Sequence, residues 1–466
     1  MRRQQRVRTT ACLVALGAIA LWLTSLSSPA HRASVTTVSA APSPTVATVV
    51  DTYCASCHNG RLRSPSGVLL DTFDAARIGK QPETWARAYR QLHAGAMPPV
   101  GSRRPERATY EAVLTSIAHD LGTAVKSRAT GHNREVARRL ATILWNSSPD
   151  AILAEAVQHN RLNTPTAIEQ QVRRMLADDR AQAFVSTFFV PWLQLDELAK
   201  SDPDKKYFPE YDISLRTSLA TETELFLLSQ LRDNRDPIEL WSASYTFLNE
   251  QLASHYGVPN VTGSQFRRTP LPMRERAGLL GQGSILMVTS RHQHGVDAAY
   301  TSPAMRARWV RLHFFGAPLP AGFPGAQPVK PELPITPQTR TLPAEPCGNC
   351  HRNFFPIGYA LENFDPIGRW RTHDQAGPVD TSGTFVDGTP TNGIVQLRQA
   401  LLLRPEAFRT TITEKLLIFA DTGQVSPSSG TPESLVQARR ILGGIDTPRW
   451  SSIIAAVAQL EPAVTP

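Results

Sequence analysis

The sequence predicts a mainly α chain of several folded parts with little strand, and three observations carry that reading. Apolar residues recur at helical spacing along most of the 466 residues. A Pro-rich stretch without any period, residues 317–346, interrupts them as a linker or extended arm. Gly, Asp and Thr gather in one segment, His373 to Gly393, where a short hairpin is expected and to which strand should be confined. A chain of this length exceeds the size at which one hydrophobic core keeps growing, so two or three domains are expected. The expected organisation is a leader over 1–30, a flexible lead over 31–45, a first domain over 46–121, a helical middle over 133–316, the linker, and a C-terminal domain over 347–460.

The leader is read from Arg2, Arg3, Arg6 and Arg8, an apolar run from about Ala11 to Leu26, and small residues at Ser27, Ser28 and Ala30. Thr24 and Ser25 break the run, which is short against the roughly 20 apolar residues of a membrane span. Cleavage and export to the periplasm are therefore expected, with membrane anchoring only if the segment is retained. Cys12 opens the apolar run instead of closing it, which argues against a lipid anchor. The formal charge of +9 drops to +5 once the four leader arginines are removed, and no basic stripe with interleaved aromatics suggests a nucleic-acid partner.

The elements follow in order. Val46 to Tyr53 reads as a short helix. Pro82 to His93 is amphipathic, with Trp85, Ala88, Tyr89 and Leu92 on one face, and Pro105 to Leu121 spaces Tyr110, Val113, Leu114, Ile117 and Leu121 for burial. From Asn133 to about Leu195 the pattern stays helical, with Ser148-Pro149 and Thr164-Pro165 placing Pro at the first helical position. Asp212 to Leu231 and Thr246 to Tyr256 read as further helices, as do Ile394 to Leu403, Pro405 to Ala420 and Pro432 to Leu442.

Cysteine usage narrows the chemistry. Of five cysteines, four fall in two C-x-x-C-H motifs, Cys54 to His58 and Cys347 to His351. Two thiols at this spacing reach the two vinyl groups of one porphyrin, and the following histidine stands over the iron. Two covalently attached haem c groups are therefore expected, with His58 and His351 as iron ligands. A single zinc held by both pairs is disfavoured because 289 residues separate Cys57 from Cys347, against about 15–20 in zinc ribbons. A thioredoxin-like pair would need a strand-to-helix setting that neither motif offers.

The first motif has companions. Gly95-Ala96-Met97-Pro98-Pro99 lies between its second and third helices, the layout of a small class I-like cytochrome c domain, and Met97 is the expected distal ligand. A thioether is a soft donor that favours reduced iron. Pro98 and Pro99 are expected to keep the loop extended, and His93, the competing ligand, to lie on the exposed side of its helix. No methionine follows His351, so the second haem must draw on His373, Met305, His292, His294 or His313, or leave its sixth position open. Arg369, Trp370 and Arg371 are candidates to grip haem propionates, the alternative being a solvated turn around a buried Trp.

The fragments Arg173-Arg174-Met175-Leu176-Ala177-Asp178, Tyr245-Thr246-Phe247-Leu248-Asn249-Glu250, Arg276-Ala277-Gly278-Leu279-Leu280, Thr301-Ser302-Pro303 and Leu361 to Arg371 resemble the planctomycete-type cytochrome c proteins, large exported haem proteins. The likeness runs from about Tyr53 to Gly444 and implies covalent haem c and a helical middle, while the second motif makes a cytochrome c-like haem domain the expectation for the C-terminal part. It implies no particular reaction. The chain departs from the family in retaining only about Gly122 to His132 of a helical region, in carrying Ala307 where a Gly is usual, and in an insertion over His292 to Ala299.

Three functions compete. One is electron transfer between a periplasmic oxidoreductase, such as a dehydrogenase, and the respiratory chain. Another is a dihaem peroxidase or oxidase with the second haem as reactive site. The third is a docking subunit of a larger oxidoreductase, suggested by the lack of a nucleophile elbow, zincin motif, P-loop or dinucleotide fingerprint in the middle.

Overall fold

The computed structural model describes residues 45–61, 68–71, 78–125, 132–290, 301–318, 355–374, 377–425 and 430–462, all within one unit spanning Pro44–Pro466. The expected leader, most of the linker, His292, His294 and the whole of Cys347, Cys350 and His351 lie outside the described residues. The fold is mainly helical, and among the described residues no helix is long and apolar enough to cross a membrane.

The first three helices are α1 (Val46–Tyr53), α2 (Pro82–His93) and α3 (Arg107–Ala124). Thr45 caps α1 by accepting from the Thr48 amide at 3.2 Å. Pro82 opens α2, where its missing N–H costs nothing. Trp85, Tyr89, Val113 and Ile117 form a small core together with Val46, Val49 and Val50. Two further members, Leu435 and Val436, arrive from near the far end of the chain.

The middle begins with α4 (Asn133–Trp145), α5 (Ala151–Gln158) and α6 (Pro165–Ala177). Thr164 caps α6 as expected, accepting from Ala167 N at 3.2 Å. The Ser148-Pro149 expectation is corrected. Asp150 is the cap of α5, accepting from Leu153 N at 2.9 Å, so Pro149 stays outside the helix. The helical stretch over residues 182–192 widens into a π turn at Val185–Phe189. Pro191 follows within the same stretch and has no N–H for a regular ladder. Phe184, Phe188, Phe189 and Trp192 are fully buried there in the main core.

Next come α7 (Ile213–Arg232), strand β1 (Tyr245–Leu248), α8 (Glu250–Tyr256), strand β2 (Arg267–Pro270), α9 (Gly283–Val288) and α10 (Pro303–Phe315). The helix expected from Thr246 to Tyr256 is half wrong. Tyr245 to Leu248 alternates half-buried and buried residues and pairs antiparallel with β2, and only then does Asn249 cap α8 through Leu252 N at 2.9 Å. Strand is thus not confined to the segment after the second motif. That segment does hold two small antiparallel pairs, β3 (His373–Asp374) with β4 (Gly377–Pro378) and β5 (Ser382–Thr384) with β6 (Pro390–Asn392).

The chain closes with α11 (Gly393–Leu402), α12 (Pro405–Thr422), α13 (Pro432–Gly443) and α14 (Trp450–Gln459). Helix α14, which the sequence reading did not single out, buries Trp450, Ile453, Ile454 and Val457 in the main core.

Candidate functional site

The site begins where α1 stops. The Cys54 amide still bonds to Val50 O at 2.9 Å, and the Cys57 and His58 amides both bond to Cys54 O, at 3.1 and 2.9 Å. One tight turn therefore presents two thiols and an imidazole on the same side of the chain. His58 is held twice by the segment it faces. Its Nδ1 meets Val68 O at 3.1 Å, and its carbonyl accepts from Leu70 N at 2.7 Å. With the ring hydrogen on Nδ1 donated to a carbonyl, the ligating lone pair is on Nε2, the usual arrangement behind a metal-bound histidine. Burial, with Cys57 adding, pushes the Cys54 thiol up to about 11.

The opposite wall comes from α2, α3 and the loop between them. Gly95 takes a φ of 69° to leave α2, in the left-handed region that suits glycine. Ala96 N then bonds back to Gln91 O at 2.9 Å. Met97 and Pro98 form a bend with a cis peptide bond between them, so the expected extended loop is corrected. The Tyr110 hydroxyl donates to Met97 O. Burial pushes the Tyr110 phenol up to about 12, against the opposing pull of Arg104.

Cys54, Cys57, His58 and Met97 all line one cavity of about 560 Å³. Val50, Leu70, Trp85, Leu92, Val113 and Ile117 give it apolar walls. The volume lies within the roughly 300–1,000 Å³ of cofactor sites. The residues fit a covalently held haem: two thiols one turn apart, an oriented imidazole and a thioether share one apolar space. The buried Nε of Arg90, on the same wall, has no hydrogen-bond partner among the described residues.

His93 is not on this wall, and it is not exposed either. It is half-buried, its ring tilted against Tyr89 at 5.3 Å between centroids. Burial and then the nearby Arg404 hold its pKa down at about 4.

The residues considered for the second site separate. His373 is exposed on β3, with Nδ1 at 3.1 Å from the Thr372 hydroxyl. Met305 is half-buried near the start of α10. His313 is fully buried, stacked on Trp309 at 4.4 Å, with Nδ1 at 2.8 Å from Trp309 O and Nε2 at 2.7 Å from Trp192 O. Both carbonyls would favour an imidazolium, but burial prevails and holds its pKa down at about 4. Its ring ties α10 to the core.

Arg369 pairs with Glu210, and Arg371 Nη2 donates to Glu362 Oε2 at 3.0 Å and to the Thr301 hydroxyl at 2.9 Å. Trp370, buried in the alternative reading of a solvated turn, is 43% exposed with its ring edge-on to Phe364. The buried Arg306 completes the group: Nη1 reaches Glu362 Oε1 at 3.0 Å and Leu361 O at 2.6 Å, and Nη2 reaches the Ser290 hydroxyl at 3.0 Å. Nearby, Arg276 Nη2 donates to Gly368 O at 2.8 Å. The fragments around 276, 301 and 361–371 thus meet in one buried polar network that fixes the chain just after the second motif.

The sequence reading missed Arg90, Arg311 and Tyr110 as parts of the first site. Arg90 carries a signal, since it sits one turn beyond Ala86 on the buried stripe of α2. Arg311 carries none, because only the fold brings α10 to this cavity.

No curated protein and no solved structure matches the chain. Two family models do match, the protein of unknown function DUF1592 (PSD4) over residues 132–258 and the protein of unknown function DUF1588 (PSCyt3) over residues 276–374. These are planctomycete cytochrome c-associated domains, and they cover the helical middle and the buried polar network described above.

Proposed function

We propose that the chain is an exported dihaem c-type cytochrome that passes electrons between a periplasmic oxidoreductase and the respiratory chain. Haem would be held covalently by Cys54 and Cys57 with His58 and Met97 to ligate its iron, and a second haem by Cys347 and Cys350 with His351. The observation that carries the reading is the convergence of both thiols, the imidazole and the thioether on one apolar cavity. The two cytochrome-associated family matches agree with it.

A haem bound there would supply a one-electron couple. The protein's part is to set that couple. Val68 O, accepting from His58 Nδ1, makes the imidazole a stronger donor. Met97 is a weak donor that favours the reduced state, and Tyr110 anchors its backbone. The apolar walls exclude water and so limit solvent reorganisation.

The test is a spectrum of the full chain produced with haem-attachment machinery. Two covalent haems with low-spin, six-coordinate irons are expected. One high-spin iron with peroxide turnover would move the function to an oxidant-reducing enzyme, and no covalent haem would end the proposal.

A further inference from the structure

The loop that offers Met97 belongs to two parts of the fold at once. Its own helices hold it through Ala96 N, which bonds to Gln91 O at 2.9 Å, and through the Tyr110 hydroxyl, which donates to Met97 O. Its packing lies elsewhere. Ala94 and Ala96, on either side of Gly95, are buried in the main core, whereas Trp85, Tyr89, Val113 and Ile117 of the flanking helices stay in the small first core.

The surface beneath the loop is the turn between β5 and β6. A Cβ placed on Gly95 would stand 3.7 Å from Asp387 Cβ and 3.8 Å from the Arg404 guanidinium. The turn is firmly made: Phe385 N bonds to Thr389 O at 2.7 Å, Asp387 Oδ1 accepts from Thr389 N at 2.9 Å, and Arg404 Nη2 donates to Asp387 Oδ2. One side chain joins the loop to it. Arg104 Nη2 donates to Gly95 O at 3.2 Å and to Val386 O at 2.7 Å, one carbonyl on each part. Met97, Pro98, Pro99, Ser102 and Arg103 line the Cys54–His58 cavity and Arg104 does not, so it bears on Met97 through the loop.

We propose that Arg104 is a positioning residue for Met97: it clamps the methionine loop to the β5–β6 turn, so that the first haem keeps its sixth ligand only while the C-terminal part is docked. The inference rests on the haem reading above. A thioether is a weak donor, and its hold on iron depends on how firmly its loop is kept closed. A charged donor shared by two carbonyls suits that task, since such bonds are about twice as strong as neutral ones.

The test uses the full chain loaded with haem, oxidised and titrated with imidazole, which takes the sixth position when Met97 leaves it. Loss of the methionine-to-iron absorption band reports the first haem alone. The apparent affinity of such a ligand scales with the fraction of open loop. Arg104→Gln should therefore bind imidazole about tenfold more tightly, with Arg104→Lys between it and the wild type. Asp387→Ala loosens the turn and leaves the first three helices untouched, and it should tighten binding roughly threefold or more. It also decides the matter if Arg104→Gln does not fold. A merely structural loss would lower the urea midpoint of these variants and leave the imidazole affinity where it was. An unchanged affinity in either variant would overturn the clamp and leave the haem reading intact. No methionine band in the loaded wild-type chain would remove Met97 from the iron and the clamp with it, and no haem mass on the peptide holding Cys54 and Cys57 would overturn the haem reading as well.

Discussion

At the scale of single residues, the first motif was legible because its chemistry is local. Cys54, Cys57 and His58 lie on one turn, and Met97 sits in a loop bounded by two helices whose limits the apolar period reveals. If haem is held at Cys54 to His58 as proposed, Met97→Ala should lower its potential, read by redox titration, and an unchanged potential would mean that Met97 is not an iron ligand. Buried titrating groups were not legible, because periodicity reports which face is buried and not what the face encloses. Glu222 accepts from the Thr246 hydroxyl and the Tyr256 hydroxyl, each at 2.6 Å, and burial raises its pKa from 4.5 to about 7. The native carboxyl therefore holds a proton that the unfolded one releases, so stability is greatest below about pH 4.5 and falls as pH rises through 7. Glu222→Gln should remove that fall, a difference of up to about 3 kcal/mol by urea denaturation at pH 8. The histidines act the other way. His93, His255 and His313 are held at about 4 against 6.5 unfolded, chiefly by burial. Their contribution is full above pH 6.5 and lost toward pH 4, so the urea midpoint of Glu222→Gln should drop between pH 7 and 5.

At the scale of elements, helices with a sustained apolar stripe and a marked start were the legible ones: α1, capped by Thr45, and α2, opened by Pro82, almost to the residue, and α6, capped by Thr164, at its start. The failures share a cause. Tyr245 to Leu248 is four residues long and followed at once by a helix, so its period of two was absorbed into the longer period. Helix α10 buries side chains all round, including Arg306, Arg311 and His313, and offers no stripe to read. Its packing also explains a small residue. A Cβ on Gly358 would overlap the Pro303 carbonyl oxygen, so the helical turn at residues 355–359 lies directly on the start of α10. Gly358→Ala should cost about 1–3 kcal/mol, measured as a shift of the denaturation midpoint, and a neutral result would mean that the two segments do not touch.

At the scale of the whole molecule, mainly helical architecture was legible from composition and period, but the docking of distant parts was not. Charged residues on helix surfaces read as solvated, yet several of them join the first three helices to the C-terminal region. Arg90 pairs with Glu414, Arg439 with the Tyr89 hydroxyl, and Arg104 Nη2 with Val386 O at 2.7 Å. Arg440 Nη2 reaches Gly122 O at 2.7 Å. Glu414→Gln would strand a buried Arg90, and the expected loss is about 3–5 kcal/mol in the urea unfolding free energy of the full chain. The presence of Leu435 and Val436 in the first core carries a temporal consequence. A polypeptide emerges from its N-terminus, so the Cys54 turn is made first while the helix that seals its core is made near the end. Contacts this distant in sequence form late. On the proposed haem reading, both thiols would stay within reach of an attachment enzyme until the helix carrying Leu435 and Val436 docks, and that docking would close the window.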